Sequence, residues 1–194
     1  MSKKILMIAG PNGAGKTTMA LELMQSSSMF YEFINADEIA RGLAPKHPES
    51  VAITAGKLMI KRLDELLDAE KSFAFETTGS GTNYVRYLKS AKVKGYEVSL
   101  TFLWLSNPGE AVKRVAQRVK QGGHHVPEET IVRRYYLGIK NLVMHYLPLA
   151  DEAVIMDNSS EESSKRLIAR KNKSGSLDVL NRVIWDKVEG VVSE

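Results

Sequence analysis

The chain has 194 residues, 43% of them hydrophobic and 26% charged, so it is long enough to bury a core without staples and is expected to form one domain over residues 1–194. It contains no cysteine, which excludes disulfides and thiolate metal sites and fits a reducing cytosol. The net charge of +4 suits an anionic ligand but is too small to argue for nucleic acid.

Taken in chain order, short apolar runs alternate with amphipathic ones, the pattern of a parallel α/β sheet. The first run, ILMIAG, is too short for a membrane span or a secretory h-region, so the chain reads as cytoplasmic, with no membrane partner. Strands are expected at 3–10, 31–36, 72–77, 97–105 and 152–156, with RLIARK at 166–171 as a further candidate. Helices are expected at 16–24 and at 51–70, where Ala55, Leu58, Met59, Leu63 and Leu66 form one stripe. A third begins at Asn107, a capping residue, with Pro108 in the first helical position. Pro127 is given the same position for a fourth, whose stripe runs through Ile131, Tyr135, Ile139, Leu142, Val143 and Tyr146. The serine-rich NSSEESS at 158–164 reads as one surface loop. The expected fold is a three-layer P-loop NTPase: a mostly parallel five-stranded sheet, helices on both faces, and a small helical lid near 118–134.

Between the first strand and the first helix stands GPNGAGKT, which matches G-x-x-x-x-G-K-[ST] in every fixed position and in the required strand–loop–helix context. Gly10, Pro11, Asn12, Gly13, Ala14, Gly15, Lys16, Thr17 and Thr18 are therefore the expected ATP-binding residues. Glycines let backbone N–H groups turn toward phosphate oxygens, and the helix N-terminus adds partial positive charge. Lys16 can reach the β- and γ-phosphates, and the Thr17 hydroxyl can ligate Mg²⁺. No aspartate is followed by glycine three residues on, as a GTPase switch requires, and no Leu-Ser-Gly-Gly transporter signature is present. NKSG at 172–175 reads as a plain turn, because it lacks the aspartate of a guanine-reading motif. A small kinase or a minimal ATPase is left.

Kinase chemistry needs a carboxylate to orient the acceptor hydroxyl, and ligands in such sheets gather at the carboxyl ends of strands. Asp37, Glu76 and Asp157 are placed there. Asp37 is read as the base or as a helix cap, and the two roles are compatible. Glu76 ends an apolar strand, where a carboxylate needs a partner, and is a candidate for that chemistry. Asp157 suits an Asx turn as well as an adenine-side contact. Four arginines, Arg114, Arg118, Arg133 and Arg134, surround the 118–134 segment; Arg118 and Arg134 are taken as catalytic cations that closure brings to the phosphates. Arg133 and Arg134 diverge by about 100° on a helix, so one of them faces the site. Gly122 and Gly123 supply a helix stop and a hinge, and His124 and His125 read as hydrogen-bonding lid residues rather than metal ligands. Arg41, Lys46, His47, Lys57 and Lys61 lie near the acceptor side and suit a phosphorylated substrate or a solvated face equally.

In order along the chain, GPNGAGKTT, INADEIA, FAFETT, RVAQRVKQGGHHVPEETIVRRY and DNS resemble the zeta-toxin-like P-loop kinases over about residues 3–160. The resemblance implies an ATP- and Mg²⁺-dependent kinase that phosphorylates the sugar of UDP-N-acetylglucosamine, with Asp37 as base and Glu76 near the metal or acceptor. It also implies an antitoxin partner, which the residues themselves do not encode. The chain departs from a plasmid-borne member of that family where His124-His125-Val126 precede Pro127, and it is shorter than the well-known toxins. Other readings are a kinase for a different metabolite or nucleotide, and an ATPase switch acting through a protein or RNA partner. Against RNA stand the low charge and the lack of aromatics interleaved with basic residues.

Overall fold

A computed structural model describes residues 3–26, 32–123, 125–159 and 166–193. His124 and most of the serine-rich loop (160–164) lie outside the described residues, so the readings made of them stand as expectations.

The sheet has seven strands in the order β2-β3-β1-β4-β5-β6-β7. They are β1 (Lys4–Ala9), β2 (Glu32–Ile34), β3 (Phe73–Thr77), β4 (Glu97–Trp104), β5 (Glu152–Asp157), β6 (Arg166–Lys171) and β7 (Leu177–Val179). The first five run parallel, and β6 and β7 are antiparallel additions at one edge. The expected five-stranded sheet is therefore corrected to a mixed one of seven. A three-residue strand such as LDV is too short to show a period-two pattern, so β7 leaves no signal in the sequence. The NKSG turn joins β6 to β7: Asn172 Oδ1 accepts from the Ser174 N–H at 3.1 Å, and Gly175 takes φ +88°.

The helices are α1 (Lys16–Ser26), α2 (Ala36–Leu43), α3 (Ala52–Asp68), α4 (Asn83–Val93), α5 (Pro108–Lys120), α6 (Glu128–Asn141), α7 (Leu147–Leu149) and α8 (Arg182–Ser193), with a π-turn over Leu142–Tyr146. They cover both faces of the sheet. Along β1 the alternation of a strand divides the faces: Ile5, Met7 and Ala9 join the main core, whereas Leu6 and Ile8 pack with Ala20 of α1 and Ala74. Asn107 caps α5 through its side chain with Pro108 at the first position, as expected. Pro127, however, is itself the N-cap of α6, one residue earlier in role than expected, with ψ 140° outside the helical region. The α3 stripe holds at Ala55, Met59, Leu63 and Leu66, but Leu58 is turned out and 40% exposed, and Leu67 is buried in its place. Helix α8, capped by the Asn181 side chain onto the Ile184 N–H, buries Trp185 and Val188 and was not anticipated.

One ion pair ties the β4–β5 region to α4. The Lys92 ammonium donates to Asp151 at 2.5 Å and the Val98 N–H donates to its other oxygen at 2.8 Å. Burial pushes the Asp151 carboxyl up, but these two donors and the charges of Lys92 and Lys171 outweigh it and hold it below its ordinary value. A depressed carboxyl contributes stability above its unfolded-state value and loses it as pH falls through the folded one. Asp151→Asn is therefore expected to cost about 1–2 kcal/mol at neutral pH, with the gap to the wild type closing below about pH 4. Urea titrations across that range check both points.

Candidate active site

The cradle is built where β1 ends. Gly10 takes φ +145°, and a Cβ there would lie 2.3 Å from the Leu103 carbonyl of β4. Only glycine lets the chain leave the sheet this close to its neighbour. The loop then winds into the N-terminus of α1, presenting N–H groups and the positive end of the helix dipole. Two later segments brace it. The Asn158 amide, following β5, donates to Ala14 O at 2.8 Å, and Arg114 of α5 donates to Gly13 O at 3.4 Å and to Ser159 O at 3.0 Å. Arg114 is thus a brace of the cradle, also paired with Glu110 at 2.8 Å, and is not a lining residue of the cavity beside it. Asp157 makes the Asx turn foreseen for it, accepting from the Ser159 N–H at 2.9 Å.

Lys16 is buried, donating to Pro11 O at 3.0 Å with its ammonium 3.7 Å from Glu76. Burial lowers its pKa from the ordinary lysine value; Glu76 and Asp37 oppose that, and Arg118 adds to it. Glu76 sits beside Ile8 in the β1–β3 register, which carries it to the mouth of the cradle. One of its oxygens accepts from the Thr17 hydroxyl at 2.8 Å and from the Asn35 amide at 2.9 Å. The carboxylate that ends an apolar strand therefore has its partners.

Asn35 is a residue of the candidate site that sequence reasoning overlooked. It caps α2 by accepting from the Asp37 N–H at 2.8 Å while its amide holds Glu76. The cap considered for Asp37 belongs to Asn35, and an Asn directly after a strand and two residues before an acid was the available signal. Asp37, in the first turn, is left to line a cavity of about 220 Å³ together with Asn12, Lys16, Glu76, Thr77, Thr78, Tyr84, Arg118 and Arg134. Burial lowers the Arg134 pKa, Asp37 opposes the shift and Arg133 adds to it. Arg133 is exposed, so of the adjacent pair it is Arg134 that faces the cavity.

The segment from α5 to α6 begins with a Schellman closure. Gly123 N–H reaches Arg118 O at 2.9 Å and Gly122 N–H reaches Val119 O at 3.0 Å, with Gly122 at φ +84°. The expected helix stop is there. His125, Gly122 and Gly123 line a second cavity of about 330 Å³ with Arg41 and Lys46. A smaller one of about 130 Å³, lined by Asp37, Arg134 and Pro48, shares residues with both. Lys57 and Lys61 are exposed and His47 pairs with Glu49 at 3.4 Å, so two of the five basic residues on the acceptor side line a cavity.

The donors at Thr17 and Glu76 are a hydroxyl and a carboxylate, both hard oxygen ligands of the kind Mg²⁺ takes beside nucleotide phosphates. Among the described residues no group of three or more His, Asp or Glu is placed to hold a metal by itself. No helix among them is long and apolar enough to cross a membrane.

A glycine-lined cradle at the end of a central parallel strand, with a lysine and hydroxyl at the following helix start, defines a P-loop NTPase-type domain. The chain belongs to the AAA domain family, whose model matches residues 5–134. An uncharacterized protein of Haemophilus influenzae is 29% identical over 135 residues, 70% of this chain and 94% of that one. Among solved structures, AvrRxo1-ORF1 in complex with AvrRxo1-ORF2 superposes with a TM-score of 0.76 at 16% identity, covering 96% of this chain. The chain spans 63% of the length of that one, and a further structure of the complex was solved with ATP. The PezAT toxin–antitoxin system of Streptococcus pneumoniae gives a TM-score of 0.63 at 15% identity, covering 99% of this chain and 86% of that one. At these identities the likeness is one of fold.

Proposed function

We propose that the protein is a kinase that transfers the γ-phosphate of Mg·ATP to a hydroxyl of a small anionic acceptor. The observation that carries this reading is the convergence of Lys16, Asp37, Glu76, Arg118 and Arg134 on one cavity beside the cradle. A slow ATPase needs the lysine and the metal-side acid; a second carboxylate across the same cavity is what a hydroxyl acceptor requires.

In this reading the loop N–H groups and Lys16 hold the β- and γ-phosphates, and Mg²⁺ would be held at Thr17 and Glu76, where it would neutralise phosphate charge. Asp37 accepts the proton of the attacking hydroxyl. Arg118 and Arg134 neutralise charge on the transferring group as a lid over 118–134 closes, and water is excluded. The basic second cavity, with Arg41 and Lys46, would take an anionic part of the acceptor. A nucleotide sugar such as UDP-N-acetylglucosamine fits that demand and is the first acceptor to test. The complexes of AvrRxo1-ORF1 and PezAT support a protein partner as a further expectation.

The test is ADP release with a panel of nucleotide sugars and phosphorylated metabolites, run beside Asp37→Asn. With Asn35 as the cap, that substitution should leave stability and Mg·ATP affinity close to wild type, yet slow transfer at least about a hundredfold. ADP release indifferent to every acceptor, or wild-type transfer in Asp37→Asn, would overturn the reading.

A further inference from the structure

The end of β3 and the loop that follows it, residues 77–82, put Thr77 and Thr78 into the lining of the cavity that Asp37 and Arg134 share. Its own hydrogen bonds are few: the Gly79 N–H donates to the Thr77 hydroxyl at 3.1 Å, and the Thr78 and Ser80 hydroxyls meet at 2.9 Å. What fixes the loop comes from elsewhere in the chain. The amide of Asn141, a residue only 6% exposed, donates to Gly79 O at 2.9 Å. The Tyr146 hydroxyl donates to Gly81 O. One turn before Asn141, Gly138 brings the α6 backbone so near that a Cβ would stand 2.8 Å from Thr78 O.

Residues five apart on an α-helix diverge by about 140°, so Asn141 and Tyr146 could not both reach one loop from a regular helix. The π-turn over Leu142–Tyr146, closed by the Leu147 N–H to Leu142 O, narrows that divergence. The same helix carries Arg134 one turn before Gly138, on the same face. One helical element therefore presents a cation to the cavity and grips the Thr77–Thr78 stretch of its lining.

We infer that Asn141 and Tyr146 are positioning residues: through Gly79 and Gly81 they hold the Thr77–Thr78 wall in register with Arg134, so that the acceptor and the transferring phosphate are aligned by one helix. The inference rests on the kinase reading and deepens it, since it assigns the acceptor wall and what aligns it. Misplacement of a reacting partner by about an ångström costs on the order of a hundredfold in rate, while binding of the nucleotide elsewhere is untouched.

The experiment uses Asn141→Asp, which keeps the shape and removes the donor, and Tyr146→Phe, which keeps the buried ring and removes the hydroxyl. The full-length proteins are assayed with Mg·ATP and the best acceptor from the panel, and backbone hydrogen exchange is followed at residues 77–82. The expected result is faster exchange in that loop, unchanged exchange in β1 and the cradle, and kcat lowered about tenfold or more with KM for ATP within about twofold. If Asn141→Asp does not fold, Tyr146→Phe decides alone. Faster loop exchange with wild-type kcat would make the contacts structural and overturn the inference by itself. A wild-type protein that transfers phosphate to no acceptor would instead remove the kinase reading, and this inference with it.

Discussion

Lys16→Ala is expected to abolish ATP turnover while leaving the protein folded. In the proposed reading the ammonium is the point charge aimed at the β- and γ-phosphates, and among the described residues no other lysine lines the cavity beside the cradle. Its removal also takes away a buried cation 3.7 Å from Glu76 and a donor to Pro11 O. Glu76 retains Thr17 and Asn35 as donors, so its carboxylate is not left bare. Circular dichroism and a melting curve establish that the variant is folded, and coupled ADP release measures turnover. A folded Lys16→Ala protein that turns over ATP at the wild-type rate would remove the nucleotide-binding reading of the cradle.

Arg134→Ala is the second large effect. Arg134 lines both the main cavity and the smaller one that shares Asp37, so it stands between cradle and acceptor side. In the proposed reading a cation so placed acts on charge that develops in the transition state, and losing it is expected to lower kcat by up to about a thousandfold with KM for ATP comparatively unchanged. Arg133→Ala, one residue earlier and exposed, is the matched control and should cost little. Equal losses at the two positions would mean that general positive charge on α6, rather than a directed guanidinium, matters.

The strands were legible because central parallel strands are buried on both faces and read as continuous apolar runs, as in TFLW of β4, where Thr101 to Trp104 are all buried. The cradle was legible because its glycines, lysine and threonine have fixed spacing. Other features were not, each for a physical reason. RLIARK was read as a candidate strand and is β6, but its edge partner β7 has three residues, too few for a pattern. Leu58 joined the stripe on sequence because Leu58 and Met59 differ by only about 100° on a helix. The division of labour among Asn35, Asp37 and Glu76 depends on bringing residues 35 and 76 together across the β2–β3 pairing. So does the grip of Asn141 and Tyr146 on residues 79 and 81, which no local periodicity records. Local chemistry is written in spacing, whereas tertiary partnership is not.

The order of assembly along the chain follows from the way the cradle is braced. β1 is made first, yet its two neighbours in the sheet are β3 and β4, and Gly10 is shaped by the carbonyl of Leu103. The amide that holds Ala14 belongs to Asn158, 144 residues further on. Contacts of such long separation are late and slow to form, because chain entropy must be surrendered before they reward it. A nascent chain that has emerged only through α5 carries the complete GPNGAGKT motif and none of its brace from β5. In the proposed reading, nucleotide capture therefore waits on synthesis of the chain through Asn158.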